Sequence, residues 1–138
     1  MGPSWRSLAA AVLLLGTGVM GCKDAEAPQP DPDVVAIRRM IGDWERSMEL
    51  DDEPALQPLF EGGYWPHARS RYVMSIVGGH SLRVTDVEIE VGVQHEQAVV
   101  SFQFSDLTDH HGWAATWMLT LHQAWLVSEE YVSCLDCW

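Results

Sequence analysis

The sequence predicts an α+β protein in which N-terminal helices pack on a curved, four-stranded antiparallel sheet. Two patterns carry this prediction. From residue 82 to residue 131, apolar and polar residues alternate in four successive runs, as in strands with one buried and one wetted face. Before these runs, apolar residues recur every three or four positions, which is typical of an amphipathic helix. The folded part is expected to span 34–138, enough chain for one hydrophobic core.

The first helix is expected to begin at Asp31 and Pro32, which suit an N-cap and a first helical position, and to end near Glu49. Its apolar stripe consists of Val34, Ile37, Ile41, Trp44 and Met48. Gly42 interrupts this helix and is expected to mark a close approach to the sheet.

Two further helical stretches are expected before the sheet. A short one starts in the acidic run 51–54 and is limited by Pro58. A longer one opens at Tyr64 and stops at Gly78 and Gly79. Its shared side is predicted to consist of Ala68, Tyr72, Val73, Ile76 and Val77.

The four strands follow in direct succession. The first places Val87, Ile89, Val91 and Val93 on one face and ends at a polar break, 94–97. The others are expected around 100–105, 113–121 and 125–132. The turn before the last strand lacks the Asn-Gly or Asp-Gly pair of a two-residue hairpin, so the sequence leaves the register of that strand open.

The N-terminus carries the features of an export signal. An apolar run, Leu8 to Leu15, is far shorter than the roughly 20 residues that cross a bilayer. Gly21-Cys22 resembles the lipobox of bacterial lipoproteins, which implies cleavage before Cys22 and acylation of its thiol. Val19 and Met20 depart from the usual lipobox, so cleavage by an ordinary signal peptidase stays open. We therefore expect a signal peptide at 1–21.

A proline-rich acidic tether is expected at 22–33, because such a segment cannot pack a core. Lys23 follows the cysteine where an aspartate would imply retention in the inner membrane. In a bacterium with two membranes, the resemblance to lipoproteins therefore implies an anchor in the outer membrane, with the domain facing the periplasm.

The charge of the chain excludes some partners. The full sequence has a formal net charge of −12. Removing 1–21 takes away Arg6 and leaves seven basic and twenty acidic residues, a net charge of −13. This field repels phosphate backbones, so nucleic acid is excluded. Contact with the membrane is expected through the acyl anchor alone.

The order of elements resembles the nuclear transport factor 2-like superfamily, which includes polyketide-cyclase-like (SnoaL-like) enzymes. The pieces that carry the resemblance are 41–44 in the first helix, 84–89 in the first strand and 124–128 in the last. The resemblance implies a cone-shaped, cystatin-like roll that encloses a pocket. It also implies a homodimer through the outer sheet face, around Thr116, Met118 and Thr120.

The resemblance implies that side chains of the helices and of the inner sheet face line the cone. The candidate pocket residues are Asp43, Trp44, Tyr64, His67, Tyr72, Phe102 and Trp117. If the opposite sheet face were concave, Gln103 and His122 would point inward instead. None of these residues matches a catalytic set of the superfamily, so no catalytic residue is assigned.

The sequence contains one loop that is rich in potential metal ligands. Asp106, Asp109, His110 and His111 cluster in one loop, but adjacent histidines in an extended segment point apart, so we expect polar turn residues. No metal or cofactor is predicted.

Cys134 and Cys137 are too close to the C-terminus for a thioredoxin-like helix. A local disulfide is the preferred interpretation in an oxidising compartment, while pairing between chains or a metal-binding pair stays open.

Two functions are compatible with the sequence. One is a lipid-anchored extracytoplasmic domain without catalysis that binds a small apolar ligand or a protein. The other is a SnoaL-like hydrolase, isomerase or dehydratase acting on a hydrophobic small molecule. A cavity filled by Trp44, Phe102 and Trp117 would favour the first. An isolated carboxylate deep in the cone, with a shifted pKa, would favour the second.

Overall fold

The computed structural model of the chain describes residues 29–137. The predicted signal peptide, the predicted lipidation site Cys22 and most of the predicted tether lie outside these residues. The compact folded unit begins at Asp31. Among residues 29–137, no helix is both long enough and apolar enough to cross a bilayer.

The first helix, α1, spans Pro32–Glu49, as predicted. Its N-cap is Asp31, whose side chain accepts a hydrogen bond of 2.9 Å from the backbone N–H of Asp33. Of the predicted apolar stripe, Ile37, Ile41, Trp44 and Met48 are buried in the core, whereas Val34 is only partly buried. Gly42, in contrast, is exposed, and a Cβ there would meet open space, so the expected close approach to the sheet is wrong.

Two short elements and a third helix follow. Helix α2 spans Glu53–Leu56 and continues into a 3₁₀ turn at Gln57–Leu59. A second 3₁₀ turn spans Trp65–His67, and helix α3 spans Arg69–Val77. The predicted third stretch is thus broken at Ala68, which is extended.

This break changes which side of α3 is buried. Its buried residues are Ser70, Val73, Met74 and Val77. Tyr72 is 62% exposed and Ile76 is 40% exposed, so the prediction that both share the buried side is wrong.

The four predicted strands are confirmed as a single antiparallel sheet in the order β1-β2-β3-β4. They span Leu82–Val91, Gln97–Asp106, His111–Leu121 and Trp125–Cys134. Val93 does not belong to β1, because the strand ends two residues earlier and Val93 is 99% exposed in the turn.

Two bulges interrupt the alternation of the sheet. One lies in β1 between Thr85 and Glu88, where Asp86 has a φ of 54°. The other lies opposite Met118 and Leu119 of β3, where β4 holds one extra residue, Ser128. The Ser128 hydroxyl donates a 3.0 Å hydrogen bond to the Met118 carbonyl. A bulge shifts the facing of every later residue in its strand, so this one decides which part of β4 is buried.

Three helices packed on a four-stranded antiparallel sheet confirm the α+β class. The hydrophobic core lies between the inner sheet face and α1 and α3.

Candidate functional site

The space between the helices and the inner sheet face is filled by aromatic rings. Trp44 of α1 lies with its ring centroid 5.4 Å from Phe102, 5.0 Å from Phe104 and 5.9 Å from Trp117, each pair edge to face. Phe102 and Trp117 are 4.9 Å apart and also meet edge to face. Such pairs add stability beyond their buried area. Three of the predicted pocket residues therefore form a packed cluster.

A buried carboxylate lies beside this cluster. Glu130 of β4 is only 4% exposed. One of its oxygens, Oε1, accepts the backbone N–H of Ser70, and Oε2 accepts the Ser70 hydroxyl. Oε2 also accepts the indole N–H of Trp117 at 2.7 Å, and the Trp44 indole donates to Ser70 Oγ at 2.8 Å. We call Trp44, Tyr64, Ser70, Trp117 and Glu130 the Glu130 network.

Tyr64 joins this network from the loop before the second 3₁₀ turn. Its hydroxyl oxygen accepts the backbone N–H of Glu130 at 2.7 Å. Burial raises the pKa of the Tyr64 phenol, and the hydrogen bond with the Glu130 N–H offsets only part of this increase. The loop, α3, α1 and the sheet are therefore tied together at one buried point.

Burial also raises the pKa of the Glu130 carboxyl. The donors from Ser70 and Trp117 favour the ionised form and offset part of this increase. A carboxyl with a raised pKa can act as a general acid or base where a substrate reaches it. Here Ser70 is fully buried, so the described structure leaves the pair enclosed by protein.

The local sequence explains how Ser70 and Glu130 come into contact. Ser70 is the second residue of α3, because the extended backbone at Ala68 starts the helix there. The Ser128 bulge turns Glu130 toward the interior, so that it pairs directly with Trp117 on β3.

The other predicted pocket residues lie outside this network. Asp43 is exposed and lines an open groove with Trp125 and Arg39. His67 and Tyr72 are exposed and line a second open groove beside α3. The structure therefore does not bring these three side chains to the interior.

The residues considered for the opposite sheet face are also exposed. Gln103 lies on the outer face. The His122 imidazole lies 3.1 Å from a carboxylate oxygen of Glu61.

Sequence reasoning missed Ser70 and Glu130. Ser70 had a usable signal, because Ser70, Val73, Met74 and Val77 have the i, i+3, i+4, i+7 spacing of a buried helix face. No local sequence signal indicates that Glu130 is buried, since its inward orientation depends on the bulge at Ser128.

The acidic loop between β2 and β3 forms an ion pair with His80, which follows α3. His80, after α3, places Nδ1 2.8 Å from Oδ2 of Asp106 and 3.7 Å from Oδ2 of Asp109. Asp106 Oδ1 accepts the backbone N–H groups of Thr108 and Asp109 at 2.9 and 3.1 Å. One ligand atom each from His80, Asp106 and Asp109 could thus reach a single cation. However, Asp106 Oδ2 is already hydrogen-bonded to His80.

The two charges of this pair stabilise each other. The hydrogen bond to Asp106 raises the pKa of His80. Burial of Asp106 is outweighed by its hydrogen bonds, chiefly that from His80, and the pKa of the carboxyl is lowered. His80, Asp106 and Asp109 thus connect the turn after α3 to the loop between β2 and β3, and we call this arrangement the His80 clasp. His110 and His111 of the predicted cluster do not take part.

The C-terminal tail folds back on the start of β3. The sulfurs of Cys134 and Cys137 lie at disulfide distance, with their Cα atoms 5.7 Å apart. The Leu135 N–H donates to the Gly112 carbonyl at 2.7 Å, and the Gly112 N–H donates to Asp136 at 2.8 Å.

Comparisons with models of known protein families and with curated protein sequences found no match for this chain.

Proposed function

We propose that the protein is a lipid-anchored, exported interaction domain without catalytic activity. The α+β unit is a nuclear transport factor 2-like cone whose interior is a filled scaffold, and recognition takes place on its outer surface. The anchor is the acylated Cys22, and the tether up to residue 33 holds the domain away from the membrane. In a host with two membranes, the domain faces the periplasm from the outer membrane.

The observation that carries this proposal is the filled interior. Trp44 and Trp117 are fully buried and in mutual edge contact, in the region where the resemblance implies a pocket. Binding pockets for small molecules are usually cavities of about 300–1,000 Å³ that bury most of the ligand. A ligand in this interior would have to displace an indole ring.

The Glu130 network favours a second function, a SnoaL-like enzyme with Glu130 as its general acid or base. A deeply buried carboxyl with a raised pKa beside a hydroxyl suits such chemistry. Two features argue against it. Both carboxylate oxygens of Glu130 already accept hydrogen bonds from Ser70 or Trp117, and both Glu130 and Ser70 are buried. A catalytic carboxyl requires a free path to the substrate.

The anchor is tested by fractionating cells that express the full chain or its Cys22→Ser variant. We expect the wild type in the membrane fraction, with the mass of an acylated N-terminal cysteine. The variant is expected in the soluble or culture fraction. A wild-type protein that is exported but neither acylated nor membrane-bound would contradict the anchor.

The filled interior is tested by native mass spectrometry of the exported protein, which detects any retained small molecule. We expect the mass of the acylated polypeptide without any further bound molecule. A retained hydrophobic molecule that is lost in a Trp117→Ala variant would contradict the filled interior and leave a ligand-binding cone or the enzyme as the function. The variant His67→Asn, which keeps Trp117, is the control, because His67 is exposed and lies outside the interior.

A further inference from the structure

Four side chains form a straight row across the outer face of the sheet, which is turned away from the helices. Strand pairing aligns Glu90 of β1 with Val99 of β2, and Val99 with Met118 of β3. Met118 in turn is aligned with Glu129 of β4. From one edge strand to the other, the row contains a carboxylate, two apolar side chains and a second carboxylate. We call it the Glu90–Glu129 row.

The centre of this row is accessible. Val99 is 38% exposed and Met118 is 36% exposed. All four residues line one groove of about 430 Å³ on the sheet surface. Because neighbouring strands are about 4.8 Å apart, the Cα atoms of the two glutamates are separated by roughly 14 Å. The groove therefore offers an apolar floor between two negative ends.

Negative charge dominates this face. Within residues 29–137, arginine is the only basic residue besides histidine, and five of the six arginines lie on α1 and α3. The sixth, Arg83, is exposed on the outer face opposite Ser105, at the start of β1 and away from Glu90. Strands β2, β3 and β4 contain neither lysine nor arginine. Glu88 adds a third carboxylate to the outer face, one row from Glu90.

We propose that the Glu90–Glu129 row is a docking site for a segment of another protein in which an apolar side chain lies between two basic ones. Each basic side chain meets one glutamate, and the apolar side chain packs on Val99 and Met118. An extended chain advances about 3.3 Å per residue, so basic residues four positions apart span roughly 13 Å and match the row. This inference rests on the proposed function and specifies its surface and partner.

A second copy of the chain is a poor occupant of the same groove. Two such faces would bring Glu88, Glu90 and Glu129 of both copies together, and each face carries a single arginine, Arg83, at the other end of β1. Like charges brought together in an interface oppose association. The homodimer that the resemblance implies at Thr116, Met118 and Thr120 therefore conflicts with the charge of this surface.

The test uses the exported full chain with ¹³C-labelled methionine methyl groups and the capped peptide Arg-Thr-Leu-Thr-Arg. Met118 is exposed, whereas Met40, Met48 and Met74 are buried, so their methyl signals distinguish the outer face from the interior. We expect the peptide to shift the Met118 signal and to leave the buried methionines unchanged. The capped peptides Glu-Thr-Leu-Thr-Glu and Arg-Arg-Thr-Leu-Thr are controls for charge and for spacing.

Matched variants assign the interaction to the row. The double variant Glu90→Gln/Glu129→Gln keeps side-chain volume, and we expect it to raise the Kd of the peptide about fivefold or more, since each exposed ion pair contributes a few-fold. Glu88→Gln removes one charge from the same face and is expected to change the Kd by less than about twofold. An equal effect of Glu88→Gln, or equal binding of either control peptide, would show unspecific attraction and overturn the proposal.

Other results distinguish the docking site from the proposed function. Shifts of the buried methionines without a shift of Met118 would place binding in the interior and overturn both. A dimer in sedimentation that the Glu90→Gln/Glu129→Gln variant strengthens would overturn the docking site and leave the interaction domain intact. The anchor is tested separately through Cys22, so its failure does not bear on the row.

Discussion

Val127 and Glu130 both face the interior of the protein, although three positions separate them on one strand. Regular alternation would place Glu129 inward and Glu130 in solvent. The extra residue Ser128 shifts the alternation and brings Glu130 to Trp117. The same bulge leaves Glu129 on the outer face, at the end of the proposed docking row.

The Glu130→Ala variant is expected to lower the free energy of unfolding by about 3–5 kcal/mol, because three buried donors lose their acceptor. Glu130→Gln keeps the shape and one oxygen acceptor, but its amide N–H groups face other donors. We expect that change to cost about 1–3 kcal/mol. Urea unfolding followed by tryptophan fluorescence measures both.

The outcome of Glu130→Gln also separates the two candidate functions. A variant more stable than the wild type would show that the carboxylate is retained at a cost to stability. Such a cost is typical of active sites and would favour the enzyme.

Ser70→Ala tests the other half of the network. The change removes a donor to Glu130 and the acceptor of the Trp44 indole, and we expect a loss of about 1–3 kcal/mol. Ser75→Ala is the matched control in the same helix, because the Ser75 hydroxyl donates to the Tyr72 carbonyl at an exposed position. Its expected effect is below about 0.5 kcal/mol. Equal losses in the two variants would contradict a special role of the buried serine.

Much of the fold could be predicted because its signals are local. The spacing of Ile37, Ile41, Trp44 and Met48 predicts α1 and its buried face, and both are observed. The alternation in 82–131 predicts the four strands in the same way. These patterns follow from 3.6 and 2 residues per repeat and need no knowledge of distant contacts.

The candidate site could not be predicted, because it depends on relationships between distant parts of the chain. Ser70 and Glu130 are 60 residues apart, and their contact requires both the late start of α3 and the bulge in β4. His80 meets Asp106 across 26 residues for a similar reason. Tyr72 is exposed because the helix begins at Arg69 and buries the side that carries Ser70, Val73, Met74 and Val77.

The His80 clasp predicts a pH dependence of stability. The pKa of His80 is raised above its ordinary 6.5 by the hydrogen bond to Asp106, so the folded state binds the proton more tightly than the unfolded state. The contribution is complete below about pH 6.5 and is lost as the pH rises through the folded pKa. We expect His80→Asn to lower the Tm at pH 6 more than at pH 8.5. The groups that face His80 are Asp106 and Asp109.

The exposed His67 provides the control for this experiment. His67→Asn removes an imidazole outside the clasp, and we expect the same Tm difference from wild type at both pH values. If His80→Asn also shifted the Tm equally at pH 6 and pH 8.5, the imidazole would act through packing and the ion pair would contribute nothing.

Two glycine substitutions of the same size are expected to have opposite effects. Gly42 lies in the middle of α1 with open space around it, so Gly42→Ala should raise the free energy of unfolding by about 0.5–1 kcal/mol through helix propensity. Gly78 ends α3, and a Cβ there would collide with the Met74 carbonyl and the Asp51 carboxylate. Because a backbone carbonyl cannot move aside cheaply, we expect Gly78→Ala to cost about 1–3 kcal/mol. Thermal unfolding of both variants at one pH measures the difference. A Gly78→Ala variant more stable than the wild type would show that a Cβ at position 78 fits without a collision, which would contradict the prediction.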